Sequence, residues 1–343
     1  MRLREADVLL VEVLRRLPEL PAVAQDDVAA LLARAELHGV AGLVHDALGR
    51  ARATGCAELE REFAWREAAR ELDHAAHLKI LRRIDVALAA RGLVAVALKG
   101  PLLAERFYAR PSARATSDID LLVDEAKLEV TAAALEEVGY VGAAGSEEQR
   151  YRREHHHLHL SHPNALPLEL HFHAYRGLGR TLHSEPFIAR SRRYIESNLE
   201  AIRVLSPEDE LVFLSVHGAA HRFVRLGWLF DLRLLAETLS FDQRMLAFRR
   251  ATQWGYARPL SFAIGLLIEV LGMNPSDLEP LVGNEPWRLR LVGALAAEPD
   301  GPLRRSASRF LYSLALCDSP RAALRYSRTA VAAFAARVAG EPS

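Results

Sequence analysis

The sequence predicts an α+β fold, with a small mixed-sheet core flanked by N-terminal helices and a C-terminal helical bundle. Three observations carry this. Apolar residues recur at helical spacing over 5–90 and again from 206 onward. Between these stretches, short apolar or alternating runs bounded by Gly, Pro and Asn read as strands. No repeat of fixed period is present, which favours an irregular bundle over a solenoid. The chain therefore divides into an N-terminal helical region over 1–90, an α/β core over 91–205 and a C-terminal helical domain over 206–343.

The elements follow in order. Leu9, Leu10, Val13 and Leu14 form one helical stripe, and Leu31, Leu32, Ala35 and Leu43 recur at the same spacing further on, with Pro18 and Pro21 as punctuation. The stretch from Glu58 to Ala90 is rich in Ala, Arg and Glu and has no Gly or Pro, so it predicts one long helix or two abutting ones. His74 and His77 lie three apart on it, with no third metal ligand nearby, and read as partly exposed helical residues. After Gly92 the pattern changes. Leu93 to Leu98 reads as a buried strand stopped by Lys99-Gly100-Pro101, and Leu102 to Tyr108 as a short helix with Pro at its start. A loop over 111–117 leads into a second strand, Asp118 to Val123, and a helix from Glu125 to Val138 ends at Gly139. Tyr151 to His173 predicts two strands around the turn His162-Pro163-Asn164-Ala165. Ser206-Pro207-Glu208-Asp209 has the cap, the proline and the acids of a helix start. Helices are expected over 207–222, 226–239, 242–253, 257–272, 286–297, 303–316 and 319–338.

Charge and cysteine content exclude several classes. The 343 residues carry 44 basic and 44 acidic side chains, and this balance argues against coating a polyanion by bulk electrostatics. Lysine occurs only at Lys79, Lys99 and Lys127, the other basic residues being arginine, so an arginine by itself carries little functional weight. Cys56 and Cys317 are far apart and spell neither a disulfide framework nor a cysteine zinc motif. The N-terminus lacks the apolar core of a signal peptide, and no apolar run approaches the roughly 20 residues of a membrane span. The expectation is a cytoplasmic protein with no membrane partner.

Ser117-Asp118-Ile119-Asp120-Leu121-Leu122-Val123 is the most informative segment. Residues two apart on a strand share a face, so Asp118 and Asp120 project together while Ile119 and Leu121 pack behind them. Neighbouring carboxylates repel unless a cation lies between them. The pair thus suits a divalent metal, Mg²⁺ first and Mn²⁺ as the alternative, shared with waters and substrate phosphates. Taken alone, Asp-x-Asp fits a solvated strand end equally well; its surroundings favour the metal. Lys99-Gly100 sits at a strand-to-helix turn, where backbone can approach a phosphate. Downstream, Pro167-Leu168-Glu169-Leu170-His171 reads as a strand whose single acid, Glu169, would complete a two-metal site.

With these residues the chain resembles the nucleotidyltransferase superfamily of the DNA polymerase β-like fold. The closer resemblance is to bacterial nucleotidyltransferase family proteins, some of them found beside peptide-modification genes. That resemblance rests on Leu98-Lys99-Gly100, Arg114, Asp118 to Val123 and Leu168 to His171, and on His217-Gly-Ala-Ala-His221, Trp228 and Asp231-Leu232 in the helical region. It implies transfer of a nucleoside monophosphate from an NTP to an acceptor. Asp118, Asp120 and Glu169 would be the catalytic, metal-holding acids, with Glu169 also helping to deprotonate the acceptor. Lys99, Gly100, Arg114 and Ser117 would bind the nucleotide. The chain departs from the wider superfamily at the turn, where Lys99-Gly100-Pro101 replaces Gly-Ser; a hydroxyl is missing and Lys99 supplies a point charge instead.

Seven of the 14 histidines fall between His155 and His173. By strand period His155, His157 and His159 share a face, as do His171 and His173, and His171 faces the same side as Glu169. A cross-strand zinc site is one reading. A polar sheet face beside a Mg²⁺ site fits better, because no spacing here matches a closed zinc site. His217 and His221 are four apart on a helix, but Gly218 stands where a zinc protease would carry Glu. With Arg222, Arg225 and Trp228 they either line a substrate cleft against the sheet or pack an amphipathic helix, and Asp231 either orients a histidine or pairs with Arg233.

The acceptor expected is a small molecule, peptide or protein. Without a basic tract long nucleic acid is disfavoured, while a tRNA end stays open. Two rival readings share the fold: a nucleotide-binding or regulatory module that has lost transfer, and a toxin-like transferase acting on tRNA.

Overall fold

The computed structural model of the protein describes residues 5–19, 23–51, 57–142, 155–281, 292 and 302–338. It is an α+β structure whose mixed six-stranded sheet lies between N-terminal and C-terminal helices. The N-terminal helices are α1 (Glu5–Arg16), α2 (Val28–Leu37), α3 (Ala41–Ala51) and α4 (Ala57–Ala89). The last is one continuous helix of 33 residues, as expected for a stretch without Gly or Pro.

The core follows as β1 (Ala95–Ala97), α5 (Pro101–Phe107), β2 (Ile119–Leu122), α6 (Leu128–Glu136), β3 (Val141–Gly142), β4 (His157–Ser161) and β5 (Leu168–His171). Then come β6 (His173–Gly177), β7 (Arg180–His183), α7 (Glu185–Arg190) and β8 (Ile202–Val204). The sheet order is β3-β4-β5-β2-β1-β8, and β6 and β7 form a separate hairpin. The parallel β2–β5 register sets Asp120 beside Glu169 and Leu122 beside His171. The antiparallel β4–β5 register sets His159 opposite Glu169 and His157 opposite His171. These polar residues therefore share one face of the sheet, and Ile119, Leu121, Leu158, Leu168 and Leu170 share the other.

That second face is covered by Ile80, Leu81, Ile84 and Leu88 of α4 and by Leu128 and Leu135 of α6. The polar face, with Val96, Leu98 and Leu122, meets the larger apolar cluster, which contains residues of α1 to α3 and of the C-terminal helices together. Those helices are α8 (Pro207–Ala220), α9 (Leu226–Thr238), α10 (Phe241–Trp254), α11 (Ala257–Glu269), α12 (Pro302–Leu316) and α13 (Pro320–Val338). Ser206 caps α8 by accepting from the Asp209 N–H, with Pro207 in the first turn. The helix expected over 286–297, the strand start at Tyr151 and Cys56 lie outside the described residues.

Five elements were not legible in the sequence: β3, β6, β7, α7 and β8. The edge strand β8 is only three residues long. It is fixed by Asp85, a buried acid of α4 whose carboxylate accepts from the N–H groups of Glu200, Ala201 and Ile202 at 2.8–3.1 Å. A carboxylate 115 or more positions away gives no local signal.

His45, on α3, is 3% exposed and stacks on Phe63 with ring centroids 5.0 Å apart. Its Nδ1 accepts from the Arg70 guanidinium at 2.8 Å, so the ring must be neutral there. Burial, reinforced by Arg70 and Arg66, pushes its pKa down to about 4 from the ordinary 6.5. As pH falls from 6.5 to about 4, the unfolded chain takes up a proton that the folded ring does not, and stability is lost across that window. His45→Gln should flatten this acid limb by up to roughly 3 kcal/mol, read from urea unfolding at pH 7 and pH 4.

Candidate active site

Gly100 makes the turn that starts the site. Its φ of +86° is left-handed, and a Cβ there would lie 3.3 Å from the Asp118 carbonyl oxygen, so glycine lets the β1–α5 turn approach the acidic strand. The turn delivers Lys99, whose Nζ lies 3.2 Å from both Asp118 Oδ2 and Asp120 Oδ1. Burial opposes the charge on Lys99, yet Asp120, Asp118 and Glu169 outweigh it and hold the ammonium above the usual lysine range. The repulsion between the two aspartates is thus answered by a lysine.

Asp120 is fully buried, and burial pushes its carboxyl up despite His171 and Lys99. Its Oδ1 lies 3.2 Å from His171 Nε2, while its Oδ2 is buried with no hydrogen-bond partner. His171 Nε2 is also 3.4 Å from Glu169 Oε2. That contact, more than any other, lowers the Glu169 pKa against the effect of burial. Burial opposes charge on His171, but its bonds to Asp120 and Glu169 raise its pKa overall. One ligand atom each from Asp120, Glu169 and His171 fall within 4.8 Å of one another. The orphaned Asp120 oxygen beside the Glu169 carboxylate fits a divalent cation, with His171 Nε2 bracing both acids.

Lys99→Met would leave Asp120 buried beside Asp118 without a counter-charge. A loss of about 3 kcal/mol in urea unfolding is expected, part of it recovered when Asp120→Asn is added.

Above these acids lies a cleft of about 380 Å³ between the sheet and the helical layer. Lys99, Arg114, Ser117, Asp118 and Glu169 line it from the core, and His217, His221 and Trp228 from α8 and α9. The structure therefore brings the expected site residues to one place, with Asp120 just beneath the surface. The Trp228 ring lies 5.4 Å from that of His217 and 5.3 Å from that of His221. Burial, then the charge of Lys99, lowers the pKa of both histidines, that of His217 well below the ordinary value.

Three expectations change. Asp231 meets Arg114 rather than Arg233 or a histidine: the Arg114 Nε and Nη2, at the cleft wall, donate to Asp231 Oδ1 and Oδ2, both at 2.8 Å. The Tyr108 hydroxyl donates to the same Oδ1 at 2.7 Å. Asp231 accordingly holds Arg114, and Arg233 bonds Glu237 and the Leu14 carbonyl instead. Arg222 is turned toward the ring of Tyr312, 5.7 Å away, while Arg225 remains in the cleft over Trp228. His171 and His173 do not share a face. The Phe172 and His173 N–H groups both reach the His156 carbonyl, and this kink sends His173 into the β6–β7 hairpin opposite His183.

His38, Tyr108, Thr116 and Val224 also form the cleft wall, and no sequence motif marks them. His38 and Gly39 arrive from the α2–α3 turn, and the Gly227 N–H donates to the His38 carbonyl at 3.0 Å. A Cβ at Gly227 would sit 3.1 Å from that oxygen, so glycine permits the close approach. Nothing in the local pattern around His38 distinguishes it from a helix-end residue.

No helix among the described residues is long and apolar enough to cross a membrane. A protein-family model described as "Uncharacterised nucleotidyltransferase" matches residues 24–272, which takes in the α2–α3 turn, the acidic strand and the helices of the cleft. No curated protein and no solved structure matches the chain.

Proposed function

The chain belongs to the uncharacterised nucleotidyltransferase family, and from that premise we propose a metal-dependent transfer of a nucleoside monophosphate from an NTP to a small-molecule, peptide or protein acceptor. One observation carries this reading: Asp118, Asp120 and Glu169 gather with Lys99 at the floor of a single cleft closed by helices. A cleft of about 380 Å³ is within the range of small-molecule sites.

Asp120, Glu169 and Asp118 would hold Mg²⁺ or Mn²⁺, which supplies charge neutralisation on the triphosphate and polarisation of the reacting phosphorus. Lys99, no longer needed between the carboxylates, is within the same cleft to pair with the phosphates as a point charge. Gly100 keeps the turn close to them. Arg114 acts indirectly: its bidentate bond to Asp231 fixes α9 to the 110–117 loop, and its Nη1 donates to Thr116 Oγ1 at 3.3 Å. Trp228 offers an aromatic face beside the two neutral imidazoles. The acceptor oxygen attacks the α-phosphorus, the bond to the β-phosphate oxygen breaks, and pyrophosphate leaves. The acceptor's proton passes to a base in the cleft wall, Glu169 first, with His221 also lining the cleft.

Calorimetric titration with ATP, GTP, CTP and UTP tests the site first. One NTP is expected to bind with an affinity that falls at least roughly tenfold when Mg²⁺ is replaced by a chelator. Metal-independent binding of every NTP, with no turnover on any acceptor, would favour the regulatory module.

A further inference from the structure

A second cluster adjoins the carboxylates through His171, and His157 Nε2 lies 3.8 Å from Glu169 Oε1. His156, His157 and His171 each present a ring nitrogen, and the three nitrogens lie within 4.8 Å of one another. Their ring centroids are 4.9, 5.0 and 5.4 Å apart. The backbone builds this cluster. The β4–β5 register sets His157 opposite His171, and the kink at Phe172 and His173 draws the His156 carbonyl against the end of β5.

The ring of His171 has two different edges. Its Nε2 faces Asp120 and Glu169, whereas its Nδ1 is buried without a hydrogen-bond partner. His157 Nδ1 is likewise buried and unpartnered. In its neutral form, the one a cation on Nδ1 would select, an imidazole that donates one N–H to a carboxylate carries its lone pair on the other nitrogen. A buried lone pair backed in this way is the arrangement found where histidine ligates a metal.

We propose that His156, His157 and His171 bind a divalent cation of the Zn²⁺ class, at a site distinct from the carboxylate site. Mg²⁺ takes oxygen ligands, whereas imidazole suits Zn²⁺, Ni²⁺ and Cu²⁺. Three protein nitrogens leave a coordination position open for water. The ligand set differs from a sheet-face site of His155, His157 and His159, because the turn into β4 contributes His156. A cation on His171 Nδ1 keeps the hydrogen on Nε2, directed at Asp120 and Glu169, and so links occupancy of this site to the orientation of the acids.

The test uses the tag-free full chain in saturating Mg²⁺, titrated with Co²⁺ and followed by visible absorption. About one equivalent should bind with the strong ligand-field bands of a nitrogen-ligated centre, and Zn²⁺ should displace it. His157→Ala and His156→Gln should each abolish the bands, while Asp118→Asn should keep them. Far-UV circular dichroism checks that each variant is folded, and His156→Gln keeps the test open if His157→Ala does not fold. Absence of the bands in the native protein, or their survival in folded His156→Gln, overturns the proposal. Loss of the bands in Asp118→Asn also overturns it, because the cation would then sit among the carboxylates. The readout contains no NTP, so failure of nucleotidyl transfer leaves this site standing, and the reverse holds as well.

Discussion

Asp120→Asn should fold normally and lose nucleotidyl transfer by about a thousandfold or more. The two halves of this result have separate causes. Asp120 is fully buried, and burial already pushes its carboxyl toward the neutral form. A neutral amide of the same shape removes a buried charge, so the change in stability is expected within about 1 kcal/mol of zero. The same substitution removes the charged oxygen that has no protein partner, the one best placed for a cation. A transferase that tolerates the change in urea unfolding and fails in turnover is the signature of an acid retained for chemistry. Equal loss of both would reduce Asp120 to a structural partner of Lys99 and His171.

Asp231→Ala should cost about 3–5 kcal/mol of stability, the largest effect expected of any single substitution near the cleft. It strands the Arg114 guanidinium, 9% exposed, without its carboxylate, and takes the acceptor from the buried Tyr108 hydroxyl. Burial opposes charge on Arg114, but Asp231 dominates and raises its pKa, so the residue stays charged and cannot escape by deprotonation. Arg114→Lys should recover little, since an ammonium cannot make the paired Nε and Nη2 bonds. Urea unfolding of the two variants measures both effects; a loss below about 1 kcal/mol for Asp231→Ala would show that the pair is dispensable.

The acidic strand was legible because strand period alone fixes which residues face together, and Asp118, Asp120 and Glu169 obey it. The helical flanks were legible for the same kind of reason, as the unbroken α4 shows. What escaped is long-range. Arg114 and Asp231 are 117 positions apart, and their spacing says nothing about which of several arginines and acids will meet. His38 enters the cleft only because α2 ends against Gly227. The strand period also failed where the backbone broke it: the kink after His171 separates His173 from the site and brings His156 to it, an exchange that alternation forbids. The lysine at the turn was conspicuous by its rarity, and its contact with both aspartates shows why a compact, long-stemmed cation fits there.

Transfer of the α-phosphoryl group of an NTP together with its nucleoside is read from the fate of label when α- and γ-labelled NTPs are incubated with the purified protein, Mg²⁺ and a mixture of small-molecule and peptide acceptors. The predicted result is α-label in a new product, γ-label in pyrophosphate, and neither with Asp120→Asn. Transfer of the γ-label to an acceptor, or α-label product formed equally by Asp120→Asn, would contradict it.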